Sequence, residues 1–254
     1  MDKVDLTVIV LARNEEERIA ECLQSCAFAK ELLVIDDGST DQTVPIAVAC
    51  GAKVLQRSMN GDWGAQQTFG INSASCAWIF FIDADERVTP TLAENIIQCV
   101  QKNEKKCYWI QRENHFQNIK ATHGIMRPDW VARLMPKEGS YVEGRVHPKI
   151  VTPYPNETIS GRMIHFPYRD WDAYFRKFDK YTSLSAQKYL DSGRHSSFLR
   201  DIVLRPLWAF IKVYFLNLGF LDGKAGWIFS VNHYFYTMMK YVKLYTLEKY
   251  KGRL

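Results

Sequence analysis

Apolar residues in the first half of the chain come in short runs, each closed by polar or acidic residues and followed by a helical pattern. LTVIVLA (6–12) is an unbroken, β-branched run of the kind buried on both faces of a sheet. It ends at Arg13-Asn14. Asn14 is placed to cap a helix to about Cys26, with Glu15, Glu16 and Glu17 in a first turn whose dipole favours negative charge. ELLVIDDGSTD (31–41) repeats the design. Its strand closes on Asp36-Asp37, Gly38 makes the turn, and Ser39 with Gln42 resembles a capping box for a helix through Ala49. Further strands are expected over Ala52–Gln56, WIFFID (78–83) and CYWIQRE (107–113). Helices are expected over Ala65–Ala74 and from Thr89-Pro90 towards Asn103, the second opening with a cap and proline at its first position.

Strands alternating with helices of this length predict a mostly parallel, doubly wound α/β sheet, which binds ligands beyond the carboxyl ends of its strands. Those ends carry Asn14-Glu15, Asp36-Asp37 and Asp83-Asp85-Glu86. Carboxylates so close repel one another unless positive charge joins them. A divalent cation such as Mg²⁺ or Mn²⁺, bridging carboxylate and diphosphate oxygens, is the hard, oxygen-seeking charge that fits. The expected ligand is therefore a nucleotide diphosphate held through metal by the Asp-x-Asp turn. His165, after an apolar stretch, is a candidate to complete the metal shell; the alternative is a hydrogen-bonded interior histidine.

Composition narrows the classes. The chain has 254 residues, 47% hydrophobic and 24% charged, as globular domains do. Six cysteines without a CxxC pair read as buried free thiols of a reducing compartment. The opening MDKVDLTVIVLARN lacks a basic region, apolar stretch and cleavage site, so no signal peptide is expected. The net charge of +5 is uneven: residues 198–254 sum to +6 and hold 14 of the 34 aromatic residues. Its uncharged stretches, 213–221 and 225–239, fall short of the ~20 residues that span a bilayer. Aromatic and aliphatic residues mixed with lysines suit interfacial helices on an anionic membrane surface. The competing reading is a helical lid packed on protein. A nucleic-acid partner is not expected, because the basic charge lies apart from the site and the aromatics sit in apolar helical runs.

VIVLARNEEERI, LLVIDDGSTDQT and WIFFIDADERV together resemble the family 2 glycosyltransferases of the nucleotide-diphospho-sugar (GT-A) fold, and HGIMRPDWVARLMP and GRVHPKI continue the likeness more loosely. The subgroup resembled is the bacterial lipopolysaccharide inner-core glucosyltransferases. The resemblance implies an inverting, metal-dependent transfer of a hexose, glucose from UDP-glucose by expectation, to a lipopolysaccharide-core or similar glycolipid. It implies that Ala12, Asn14 and Glu15 lie against base and ribose, and that Asp37 or Asp36 accepts from uracil N3–H. Asp83 would face ribose, sugar or metal, and Asp85 would be the principal metal ligand. Gly64, Gln66 and Gln67, in GDWGAQQ (61–67), would approach the nucleotide. Three regions follow: 1–113 for the nucleotide sugar, 114–170 for the acceptor, and 171–254 as a basic, aromatic helical appendage. The expected location is cytoplasmic, on the inner face of the cytoplasmic membrane.

The base is less determined. Pro148 stands where related enzymes carry an acid after histidine, leaving Glu143 as first choice and His147 and Asp129 as alternatives. Arg127, Arg133 and Arg145 are candidates for an acidic or phosphorylated acceptor. Two other functions share parts of the pattern: a polyprenyl-phosphate glycosyltransferase, and a receiver-like signalling domain, which gives no reason for Asp-x-Asp-Glu or the tail.

Overall fold

The structure, a computed structural model, describes residues 3–117, 119–145 and 148–250. It divides into two compact units, residues 1–112 with 129–165, and residues 113–128 with 166–254. The stretch 114–170 is thus shared between them.

In the first unit, β1 (Val4–Ala12), β2 (Ala29–Asp36), β3 (Lys53–Gln56) and β4 (Trp78–Asp83) pair in parallel in the order β3-β2-β1-β4. The helices between them are α1 (Ile19–Ser25), α2 (Thr43–Ala49) and α3 (Trp63–Ser73). A three-residue strand, β5 (Glu86–Val88), precedes α4 (Pro90–Lys102), and β6 (Cys107–Phe116) follows. The parallel run stops at β4. β6 does not join it, because β8 (Asp129–Pro136) inserts between them, antiparallel to both. After a separate hairpin of β9 (Tyr141–Glu143) and β10 (Lys149–Val151), β11 (Asn156–His165) pairs antiparallel with β5. The sheet is therefore mixed, parallel where the nucleotide motifs lie and antiparallel beyond.

Alternation along β1 builds two cores. Leu6, Val8 and Val10 face the α1, α2 and α4 side, and Ile9 faces α3. Each such side chain contributes ~1.5–3 kcal/mol on burial. A Cβ on Gly70 would lie 2.8 Å from Ile9 Cγ2, so α3 packs on β1 through a bare backbone. Thr89 caps α4, as the sequence predicts, and the helix ends at Asn103, which takes a left-handed conformation. The other caps differ. α1 starts five residues after Asn14, without a side-chain cap, and α2 is not opened by Ser39 and Gln42: Asp41 accepts from Thr43 N–H instead. Asp62 caps α3 through Ala65 N–H at 2.9 Å.

The second unit is mainly helical. The end of β6 turns back onto β7 (Ile119–Lys120), and α5 (Trp171–Asp191) is capped by Asp170. Residues 198–216 form a helical stretch in which α6 (Arg205–Ile211) lies between two segments of π-type turns, Phe198–Leu204 and Lys212–Leu216. A short turn, Gly219–Asp222, leads into α7 (Gly223–Tyr250). Among the described residues no single helix is long and apolar enough to cross a membrane; Phe198–Leu216 with Gly219–Tyr250, bent by 70°, meets that test as a pair.

Candidate active site

The strand registers bring the acids together. Asp36 pairs with Ala12 across β1 and β2, and Asp83 pairs with Leu11 across β1 and β4, so the two acids flank the end of the central strand. The adjacent aspartates of β2 diverge in use. Asp36 is fully buried, and its carboxylate accepts from Gly38 N–H and Ser39 N–H, closing the turn. Its acceptor capacity serves the backbone, which removes it as the uracil contact. Asp37 accepts from Met59 N–H at 2.7 Å and from Arg13 at 3.1 Å, at the surface of the rim.

Asn14 has left-handed backbone, φ 56°, which asparagine tolerates better than most residues. Its N–H donates to Ser39 Oγ and its Oδ1 accepts from Thr40 N–H, while Glu15 N–H donates to Thr43 Oγ1 at 2.7 Å. The segment after β1 is thus stitched to the one after β2, and Ala12, at its base, is buried. Glu16 continues the stitching by accepting from Gln42 N–H.

Beyond β4 the charges form an interlocked set. Arg133 donates to Asp83 at 2.6 Å and to both oxygens of Glu86 at 2.7 and 2.9 Å, and Glu86 also accepts from Asp83 N–H. Arg112 reaches Glu86 at 3.2 Å and holds Asp129 in a two-point pair. Glu86 is fully buried, not a surface acid. Burial pushes it up to about 7 against the pull of Arg133. Burial raises Asp83 too, but Arg133 outweighs it and holds that carboxyl below its ordinary value. Arg133, read from sequence as a phosphate contact, is instead the buried counter-charge of two strand-end acids.

Asp85 lies 3.7 Å from His165 Nε2 and 3.8 Å from Arg18. Burial, then the nearby Arg112, lowers His165 to about 4, leaving a neutral imidazole able to ligate metal. Among the described residues no three His, Cys, Asp or Glu form a ready metal cluster. Asp85 and His165 give two adjacent donors of the types a divalent cation takes, and a diphosphate supplies the further oxygens it requires, so the residues fit the ion. Asp83, turned to Arg133, fits a place beside the metal better than one on it.

The loop before α3 is tied down by its own polar groups. Gln66 is buried, donating to Arg57 O at 2.8 Å and accepting from the Arg57 guanidinium. Its amide is engaged inside the protein and not offered to a nucleotide. Gly64 is buried as well: a Cβ there would stand 2.9 Å from Gly144 O and 3.1 Å from Glu143 C. Its lack of side chain serves the close passage of another backbone segment. Trp63 N–H donates to Arg145 O in the same place. Glu143, thus set at the start of α3, is exposed, and its side chain makes no ion pair or hydrogen bond among the described residues. Asp129 is committed to Arg112, and His147 lies outside the described residues. Sequence reading missed Asp62 as a cap and Arg112 as a partner; the position of Asp62 before an apolar helical run carried the only advance signal.

An acidic strand-end rim on the parallel half of a mixed sheet, with a carboxylate-imidazole pair beside it, is where an α/β sheet of this kind places its ligand. Residues 7–166 match the model of Glycosyl transferase family 2, and the chain belongs to that family; it is a glycosyltransferase. It is similar to the lipopolysaccharide core biosynthesis glycosyltransferase LpsC of Rhizobium meliloti (strain 1021), 27% identical over 99% of this chain and 96% of that protein. An uncharacterized glycosyltransferase of Rickettsia typhi is 24% identical over 96% of this chain and 87% of its own length. Among solved structures, glucosyl-3-phosphoglycerate synthase from Mycobacterium tuberculosis, in complex with Mn²⁺, UDP and glucosyl-3-phosphoglycerate, aligns over 45% of each chain. That match has a TM-score of 0.36 at 23% identity.

Proposed function

We propose that the protein transfers a hexose, glucose from UDP-glucose as first candidate, to a lipopolysaccharide-core or similar glycolipid acceptor, with inversion. The observation carrying this reading is the convergence of Asp37, Asp83, Asp85 and His165 at one strand-end rim. The full-length likeness to LpsC supports the acceptor class. Asp85 and His165 would hold a divalent cation, which when bound neutralises charge on the departing diphosphate. Asp37 would orient the base, and Asp83, fixed by Arg133, would face the ribose or sugar. Glu143, exposed and uncommitted, would take the proton of the attacking hydroxyl. The test is UDP release across UDP-glucose, UDP-galactose and their N-acetyl forms, with lipid A-core or polyprenyl phosphate as acceptor. Calorimetry of UDP with and without Mn²⁺ accompanies it. Asp85→Asn should abolish transfer and the Mn²⁺ dependence while the fold persists. Equal UDP affinity in both conditions, with activity surviving EDTA, overturns the metal assignment.

The second unit supports a peripheral place on the inner face of the cytoplasmic membrane. Phe198, Leu199, Trp208, Phe215 and Leu216 are more than half exposed within one helical stretch, an apolar surface beyond what scattered solvent-facing residues give. Arg200, Arg205 and Lys212 lie along the same stretch, the two arginines sharing the buried Asp201, and the remaining positive charge suits an anionic lipid surface.

A further inference from the structure

Tyr174, Lys177, Phe178 and Tyr181 recur at the spacing of one helical face of α5, and His233 and Tyr236 share a face of α7. With Tyr168 they line a cavity of about 180 Å³ within the second unit. Helices that merely packed there would be expected to close the gap or satisfy its polar atoms. They do neither. His233 Nδ1 is buried without a partner among the described residues, a condition that costs free energy unless something fills it. The hydroxyls of Tyr168, Tyr174, Tyr181 and Tyr236 make no hydrogen bond among the described residues and keep contact with solvent, so they are available to a ligand. The charge around the cavity has one sign. No carboxylate lines it, whereas Lys177 does, its Nζ 5.2 Å from the Tyr168 ring centre and donating to Pro167 O at 2.8 Å, which leaves two further N–H groups for an acid.

We propose that this cavity binds a single saccharide ring bearing a carboxylate or phosphate. Aromatic faces accept the C–H face of a pyranose, and four phenols with an imidazole nitrogen supply donors and acceptors for its hydroxyls. Lys177 supplies the charge for the acid. The volume is below the ~300–1,000 Å³ of pockets that enclose drug-sized ligands, so it takes one ring and not a chain. The site is separate in composition from the acidic rim, where an anion needs a bound cation to join it to the carboxylates.

Saturation-transfer NMR on the full chain tests this, with UDP and diamagnetic Mg²⁺ present in excess to occupy the donor site. The probes are glucuronate, glucose 6-phosphate, glucose and inorganic phosphate. Glucuronate and glucose 6-phosphate should receive saturation several-fold more strongly than glucose. Lys177→Glu, at an exposed position, should remove that preference, and Tyr181→Ala should weaken all three sugars. UDP affinity should be unchanged in both variants, and an unchanged helical circular-dichroism spectrum and thermal midpoint report that their second unit folds. The proposal is overturned by absent transfer to both acidic sugars or by equal signals in wild type and Lys177→Glu. It is likewise overturned if inorganic phosphate displaces glucose 6-phosphate as well as glucuronate does, since a site for phosphate alone needs no aromatic walls.

Discussion

Asp36 and Asp37 are identical side chains one position apart, yet one closes a turn and the other faces the rim. The sequence offered both, because a strand-end aspartate can bond its own backbone or a ligand with equal ease; only the direction of the chain separates them. Gln66 and Gly64 were misread for the same reason. Each suits a ligand contact, and each is spent on protein. Glu143 remains exposed, and Glu143→Gln should lower kcat by ~10²–10⁴-fold with donor affinity little changed, as steady-state kinetics with UDP calorimetry will show. His165 carries a pH signature. Its folded value, about 4, lies below the ordinary 6.5, so the unfolded chain takes up the proton first as pH falls. Stability should therefore decline between about pH 6.5 and 4, by up to roughly 3 kcal/mol in the metal-free protein. Urea midpoints of wild type against His165→Asn across that range check it; parallel curves refute it.

At the scale of elements, the parallel strands and α4 were legible because local signals decide them: unbroken apolar runs, Thr89-Pro90, and Asn103 at the helix end. β5 and the insertion of β8 were not, since a three-residue strand has no period and antiparallel order depends on distant partners. What joins these elements is the ion set of Arg133 on β8, Arg112 on β6, Glu86 on β5 and Asp83 on β4. Removing one partner of a buried pair strands the other charge, which costs about 3–5 kcal/mol. Arg133→Met should lose stability of that order in chemical denaturation, and Arg133→Met with Glu86→Gln should recover part of it. An unchanged midpoint in the single variant would show that these acids find other compensation.

Charge and apolar surface are distributed over the whole molecule unequally, with +6 in residues 198–254 against −1 in the rest. Sequence gave that asymmetry directly, but not which apolar residues face outward, since that depends on the π-type turns and the break before α7. Flotation with anionic liposomes should recover the protein at low salt and less at high salt, because screening shortens the reach of the basic side chains. A chain ending before residue 198 that floats equally well would refute the role of this stretch. Within the first unit, a continuous strap runs from Asp37 through Met59, Arg57 and Gln66 to Gly64, which seats the backbone of Glu143. A loop graft over residues 57–67, meant to alter donor choice, would therefore also move the proposed base, so donor and acceptor selectivity here must be engineered as a pair.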